Sequence, residues 1–175
     1  GANAISNWQR DLAERGTVAF TEQDEVECLD NLNNATAQLF NAKVEDIATA
    51  SSETVLMSSL AWAVMPQIGS NIVSTETTHP STVYPWMRVA EHTGSKVRWA
   101  KADASLSIDP DELESLIDDD TSVVCLSHVE WGSGQVFDLK RFADAAHKHG
   151  AICVIDATQS AGQIPIDVQA TGVDA

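Results

Sequence analysis

Two apolar rhythms alternate along the chain. Short, nearly continuous apolar runs occur at NIVST (71–75), KVRWA (96–100), SVVCLSHV (122–129) and AICVIDA (151–157). Between them, apolar residues recur every three or four positions in EVECLDNLNNATAQLF (25–40), ETVLMSSLAWAVM (53–65), TVYPWMRVAEHTG (82–94), DPDELESLI (109–117) and DLKRFADAAHKHG (138–150). The short runs predict strands buried on both faces, and the longer periodic ones predict helices. Punctuation agrees with this division. Pro66 and Gly69 end the second helix, Asp109 caps the fourth with Pro110 at its first position, and Asp138 opens a fifth that Gly150 stops. Pro85 is expected in the first turn of the third helix, where its missing N–H costs nothing.

Continuous Val/Ile/Cys strands separated by helices predict an α/β fold, a mostly parallel sheet with helices on both faces. Ligands in such sheets bind beyond the carboxyl ends of the strands. The residues just past each predicted strand are therefore informative. DIATA (46–50), read as a further strand, leads into SSET. NIVST leads into ETTHPST, SVVCLSHV into EWGSG, and AICVID into ATQSAG. Small polar, imidazole and acidic side chains thus collect at one edge of the sheet, which makes that edge the candidate pocket.

Charge removes several classes of partner. With 26 acidic and 10 basic residues among 175, the net charge is −16. Nucleic-acid binding requires a basic face, and the acidic balance also disfavours anionic membranes. No apolar run is long enough to span a bilayer and no secretory leader is read, so a cytoplasmic location is expected. The three cysteines, Cys28, Cys125 and Cys153, form no C-x-x-C pair or Cys/His cluster. Thiols in a reducing compartment are expected, Cys125 and Cys153 buried, and no metal.

Each candidate at the polar edge has a structural and a chemical interpretation. Asp156 ends an apolar strand, and a buried carboxylate needs a partner. That partner is either the backbone N–H groups of the adjoining turn or the cationic ring nitrogen of a cofactor such as pyridoxal phosphate. In ASSET (50–54), Ser51 and Ser52 open a helix. They serve as a simple N-cap or, with the helix dipole, as a phosphate seat. His79, just past a strand, is a packed surface residue or a flat ring positioned to stack on a cofactor. His128 at a strand end is open to either role, while His92, His147 and His149 near helix C-termini are read as structural.

These residues, in this order, resemble the large domain of class V pyridoxal-phosphate enzymes of fold type I, a family of aminotransferases, cysteine desulfurases, selenocysteine lyases and related C–S lyases. IDATQSAGQIPIDVQATGVDA carries the most specific likeness, supported by HPSTVYPW, SHVEWGSGQVFDL and ASSET. The resemblance covers most of the chain. It implies pyridoxal 5'-phosphate as cofactor and a small amino acid as substrate. Asp156 would then pair with the pyridine nitrogen, Gln159 with the ring hydroxyl, His79 with the ring face, and Ser51 and Ser52 with the phosphate. Desulfurases commonly have Asn where this chain has Trp131, and the wording is closer to the epimerase-like and C–S lyase-like branch. The resemblance places the Schiff-base lysine beyond Ala175, matching none of Lys43, Lys96, Lys101, Lys140 or Lys148. On that basis, residues 1–175 are expected to form one incomplete cofactor-binding large domain without the C-terminal small domain, inactive alone, and homodimeric like its relatives. Two other classes stay in view. One is a non-catalytic binding or structural module on the same fold. The other is a generic nucleotide-binding domain, disfavoured because neither G-x-G-x-x-G nor a P-loop motif is present.

Overall fold

The computed structural model describes residues 1–175, with the side chain of Ala19 left aside. Four strands form one sheet: β1 (Asn71–Thr75), β2 (Lys96–Ala100), β3 (Thr121–Ser127) and β4 (Ile152–Asp156). All neighbours are parallel, in the order β2-β1-β3-β4. The chain therefore steps outward from β1 to β2, then crosses back to add β3 on the other side of β1. In parallel sheets the crevice at such a reversal, beside the carboxyl ends of the strands, is where ligands lodge.

Eight α-helices accompany the strands: α1 (Ala2–Arg15), α2 (Glu22–Glu27), α3 (Asp30–Phe40), α4 (Glu53–Val64), α5 (Pro80–Thr93), α6 (Pro110–Ser115), α7 (Leu139–Lys148) and α8 (Val168–Thr171). Strand alternation divides the core into two layers. Val73, Val124, Leu126 and Cys153 turn to one face, where they meet Leu113 of α6 and Phe142, Ala143 and Ala146 of α7. Ile72, Val123, Cys125 and Val154 turn to the other, against Met57 and Ala61 of α4 and Trp86, Val89 and Ala90 of α5. Helices thus cover both faces, as the apolar pattern predicts. Each fully buried large side chain, such as Phe142 or Trp86, contributes about 1.5–3 kcal/mol by leaving water. Trp86 keeps its polar atom satisfied by donating Nε1–H to Met57 Sδ at 3.2 Å.

Three local expectations need correction. First, 25–40 is not one helix. Thr21 and Asp24 form a reciprocal capping box that starts α2 early, and α3 begins anew at Asp30. Val26, Leu29 and Leu32 are exposed, so no core holds the two segments in one register. Second, DIATA is not a strand. Residues 44–46 form a short 3-10 turn, and Thr49 donates its hydroxyl to Asn33 Oδ1 at 2.6 Å. The turn before α4 therefore reaches the polar edge as a loop. Third, α5 begins at Pro80, not Thr82. His79 is its N-cap, Pro80 takes the first helical position, and Pro85 lies inside the helix. An imidazole is an uncommon cap, so the start at Pro80 is masked in the sequence by the later Pro85.

Cys125 and Cys153 are buried, and Cys28 is exposed. Desolvation pushes the Cys153 thiol up to about 12 and Cys125 well above its ordinary value, so neither is a nucleophile. After α8, the backbone returns alongside β4. Asp174 N–H donates to Cys153 O at 2.9 Å and Ile155 N–H to Ala175 O at 2.8 Å. On the opposite side, β2 is the sheet's outer strand, with Lys96 exposed and Arg98 half-buried. No helix is long and apolar enough to cross a membrane, among the described residues.

Candidate functional site

At the carboxyl edge of the sheet lies a cavity of about 240 Å³. Its walls come from the start of α4 (Ser52, Glu53, Thr54), the start of α5 (His79, Ser81), the β3 exit (Ser127, Val129, Trp131) and the β4 exit (Asp156, Thr158, Gln159). The fold therefore brings Ser52, His79, Asp156 and Gln159, four of the residues singled out from sequence, into one space. Ser51 is exposed and lies outside the lining.

Asp156 is 6% exposed, the last residue of β4. Its Oδ1 accepts the Thr158 N–H at 2.8 Å, an Asx-type turn bond. Its Oδ2 accepts the Thr82 hydroxyl at 2.5 Å. Thr82 itself is fully buried, three residues past the His79 cap, on the face of α5 that packs on the sheet. Both donors are neutral, and no lysine or arginine lines the cavity among the described residues. The buried carboxylate is thus oriented but not neutralised.

His79 is fixed by its role as N-cap. Its Nδ1 accepts the Ser81 N–H at 3.2 Å and lies 2.7 Å from Ser81 Oγ. Accepting at Nδ1 leaves the ring proton on Nε2 in the neutral imidazole. The ring meets Trp131 edge-on, with centroids 5.7 Å apart and planes at 86°. Trp131, largely exposed, is held by its Nε1–H donating to Thr77 O at 3.1 Å. His128, open to either role in the sequence, is buried away from the cavity, with Nδ1 2.9 Å from Ser160 Oγ. Burial holds its pKa below the ordinary histidine value. His147 and His149 pair with Asp174 and Asp119, in keeping with structural roles.

Ser52 caps α4 by accepting the Val55 N–H at 3.3 Å. Beside it, Glu53 occupies the first helical position, where a carboxylate is favoured by the dipole. Its Oε1 is nonetheless buried without a partner. Burial first, then the nearby Asp156 charge, raise the Glu53 pKa above its ordinary 4.5. A raised pKa favours the neutral acid, which can stand beside an anion at the helix start. The sequence pattern points to Ser51 and Ser52 and passes over Glu53, Thr82, Thr158 and Glu130. Thr158 is findable as the residue two past an aspartate at a turn. The others depend on contacts between distant segments.

Comparison with known proteins gives the family and the fold. Residues 3–175 match the family model for aminotransferase class V. A probable cysteine desulfurase of Methanothermobacter thermautotrophicus is 32% identical over 79% of this chain and 34% of its own length. An uncharacterized aminotransferase of Bacillus subtilis is 28% identical over 99% of this chain and 45% of its own. Among solved structures, the cystine C–S lyase C-DES, with glycine covalently linked to its pyridoxal-phosphate cofactor, gives a TM-score of 0.86 at 25% identity, covering 99% of this chain and 47% of that one. A cysteine desulfurase of Escherichia coli gives 0.76 at 29% identity, covering 91% of this chain and 42% of that one. The chain spans between about a third and about half of the length of these relatives.

The raised Glu53 pKa has a definite stability consequence. The group favours folding fully below its ordinary value of 4.5. That contribution is lost as pH rises through the raised value. Replacing Glu53 with Gln removes the loss. Urea midpoints of Glu53→Gln should match wild type near pH 4 and exceed it increasingly toward pH 7. A difference constant across that range would show that Glu53 does not titrate as its surroundings dictate.

Proposed function

The chain belongs to the class V aminotransferase family, and on that premise we propose that it forms the cofactor-holding face of a pyridoxal-phosphate-dependent enzyme that acts on a small amino acid by amino-group transfer. One observation carries this proposal: Asp156 is buried, held by two neutral donors, and faces a cavity that no cation lines among the described residues. A protonated pyridine ring is the counter-charge that such a site lacks, so the residues fit the group. When bound, pyridoxal phosphate supplies a ring that accepts electron density from the substrate.

The chain's own residues then have separable tasks. Asp156 would hold the proton on the ring nitrogen, with Thr82 and Thr158 keeping Asp156 oriented. Gln159 would hydrogen-bond the ring hydroxyl, and His79, held as a cap, would lie against the ring. Ser51, Ser52 and the N–H groups at the start of α4 would take the phosphate. Trp131 would narrow the mouth of the cavity.

A second reading, C–S bond cleavage, is favoured by the likeness to the cystine C–S lyase at a TM-score of 0.86 over 99% of this chain. Sulfide release from cystine without an oxo-acid acceptor would support it. Acceptor-dependent formation of a new amino acid would support transamination. A cytoplasmic site of action is consistent with three unpaired cysteines. We also propose a homodimer. Ile5, Trp8 and Leu12 leave an apolar stripe exposed along α1 at helical spacing. Sedimentation should show concentration-dependent association, and a monomer at all concentrations would refute it.

The cofactor proposal is tested at Asp156. Asp156→Asn keeps the shape and removes the charge. Charge-assisted hydrogen bonds are worth about 1.5–3 kcal/mol, so cofactor affinity should fall by about 10–100-fold, with the fold retained. Unchanged pyridoxal-phosphate affinity in this variant would remove Asp156 from the site.

A further inference from the structure

Behind the cavity wall lies a second buried carboxylate. Val129 and Val136 pair across a tight turn, with Glu130 N–H donating to Gln135 O at 2.9 Å and Gly134 N–H to Glu130 O at 2.8 Å. Chain alternation turns Ser127, Val129 and Trp131 toward the cavity and leaves Glu130 out of its lining. Glu130 is 1% exposed. Its Oε1 accepts the hydroxyl of Thr75, the last residue of β1, at 2.7 Å.

Two further bonds join the same pair of segments. Thr78 Oγ and Ser127 Oγ are 2.9 Å apart, and Trp131 Nε1–H reaches Thr77 O. The segment 75–79 carries His79, and the hairpin 129–136 carries Trp131. The edge-on contact between those rings forms one wall of the cavity. Of the three ties, the Glu130 bond alone is built on a carboxyl group, and it lies deepest. We propose that Glu130 is a positioning residue, clamping the β1 exit segment to the β3 exit hairpin and so fixing the His79–Trp131 wall. Its effect on cofactor rests on the function proposed above, whereas the clamp does not.

Two unpaired atoms lie at the clamp itself. Glu130 Oε2 and Thr77 Oγ are both buried and without partners. The Thr77 hydroxyl lies beside the Glu130 carboxyl. A hydrogen bond between the two satisfies both atoms, with the Thr77 hydroxyl donating to the carboxylate or a protonated Oε2 donating to Thr77. The ionised form would be a buried charge without a cation, which is costly. The charged neighbours do not relieve it. Asp156 on β4 repels it, Glu76 and Lys101 past β1 and β2 pair with each other at 2.8 Å, and His128, two residues before it, is bonded to Ser160. Burial raises the Glu130 pKa above 4.5, against the Thr75 and Thr77 hydroxyls that lower it and with a smaller push from Asp156. The clamp is therefore complete below the ordinary glutamate value and loosens as pH rises through the raised one.

Indole ¹⁵N NMR of the protein without cofactor reads the wall directly. There are five tryptophans, and Trp131→Phe identifies the Trp131 signal. Glu130→Gln preserves the acceptor for Thr75 and a donor toward Thr77, so its Trp131 signal should coincide with that of wild type at low pH. It should also lack the Glu130 titration that wild type shows above 4.5. The two proteins differ at this one group, so the difference between the curves belongs to Glu130. Glu130→Ala should move the Trp131 signal to the position of a solvent-exposed indole and weaken pyridoxal-phosphate binding about tenfold. Superimposable wild-type and Glu130→Gln titrations overturn the proposal, as does an unmoved Trp131 signal in Glu130→Ala. If Glu130→Ala does not fold, the wild-type and Gln curves decide alone. Failure of wild type to bind pyridoxal phosphate would refute the cofactor reading and leave the NMR outcome standing.

Discussion

A carboxylate buried at the tip of a core strand has to be matched by hydrogen bonds, by a cation or by both, and at Asp156 the protein provides only the first. That requirement organises the surrounding elements. Thr82 must stand over β4, which fixes the rotation of α5. The rotation is set where α5 begins, by the His79 cap and Pro80, and one turn further by Trp86, sealed between α4 and the sheet. Thr158 must turn back at once, which shapes the loop bearing Gln159. One buried charge thus couples the packing of a helix, the start of that helix and the path of a loop. The residue that caps α5 is also the residue whose ring faces the cavity.

Much of this is legible in the sequence because it is local. The four strands are readable from unbroken apolar runs, and α6 and α7 from their aspartate caps. Asp156 is conspicuous as an acid ending an apolar run. Local signals fail where two compete. HPST and the later Pro85 both mark a helix start, and only packing of Thr82, Val83 and Trp86 against the sheet decides for the earlier one. DIATA has the composition of a strand, yet its Thr49 finds Asn33 of α3 instead of a strand neighbour. Glu53 and Glu130 are not legible at all. Glutamate in a first helical turn or before a glycine-rich turn reads as an ordinary solvated side chain. Their burial arises from segments far away in the chain, such as Thr75 lying 55 residues before Glu130.

Three acids, Glu53, Glu130 and Asp156, sit around one edge, and burial, with repulsion from Asp156 added, raises the pKa of the first two. A protein selected for stability alone would replace such a cluster with apolar residues. Its retention in a well-packed core is the kind of local conflict that marks sites where stability has been traded for binding or chemistry. The conflict is confined to the carboxyl ends of the strands. At their amino ends polar groups are paired in the usual way, with Thr121 donating to Asn71 Oδ1 at 2.9 Å and Asn71 to Asp118 Oδ1 at 2.9 Å.

The outer position of β2 bears on how the protein behaves in a crowded solution. An open parallel strand presents unpaired N–H and C=O groups on which another chain can template itself. On β2 the exposed Lys96 and the ion pair between Arg98 and Asp118 place charge along that margin. The same strand carries Val97 and Trp99, both half-buried against the body of the fold. Charge along such a margin opposes the addition of another strand. Chemical acetylation of Lys96, or an engineered surface that removes Arg98, would change colloidal behaviour while leaving the cavity on the other side of β1 intact.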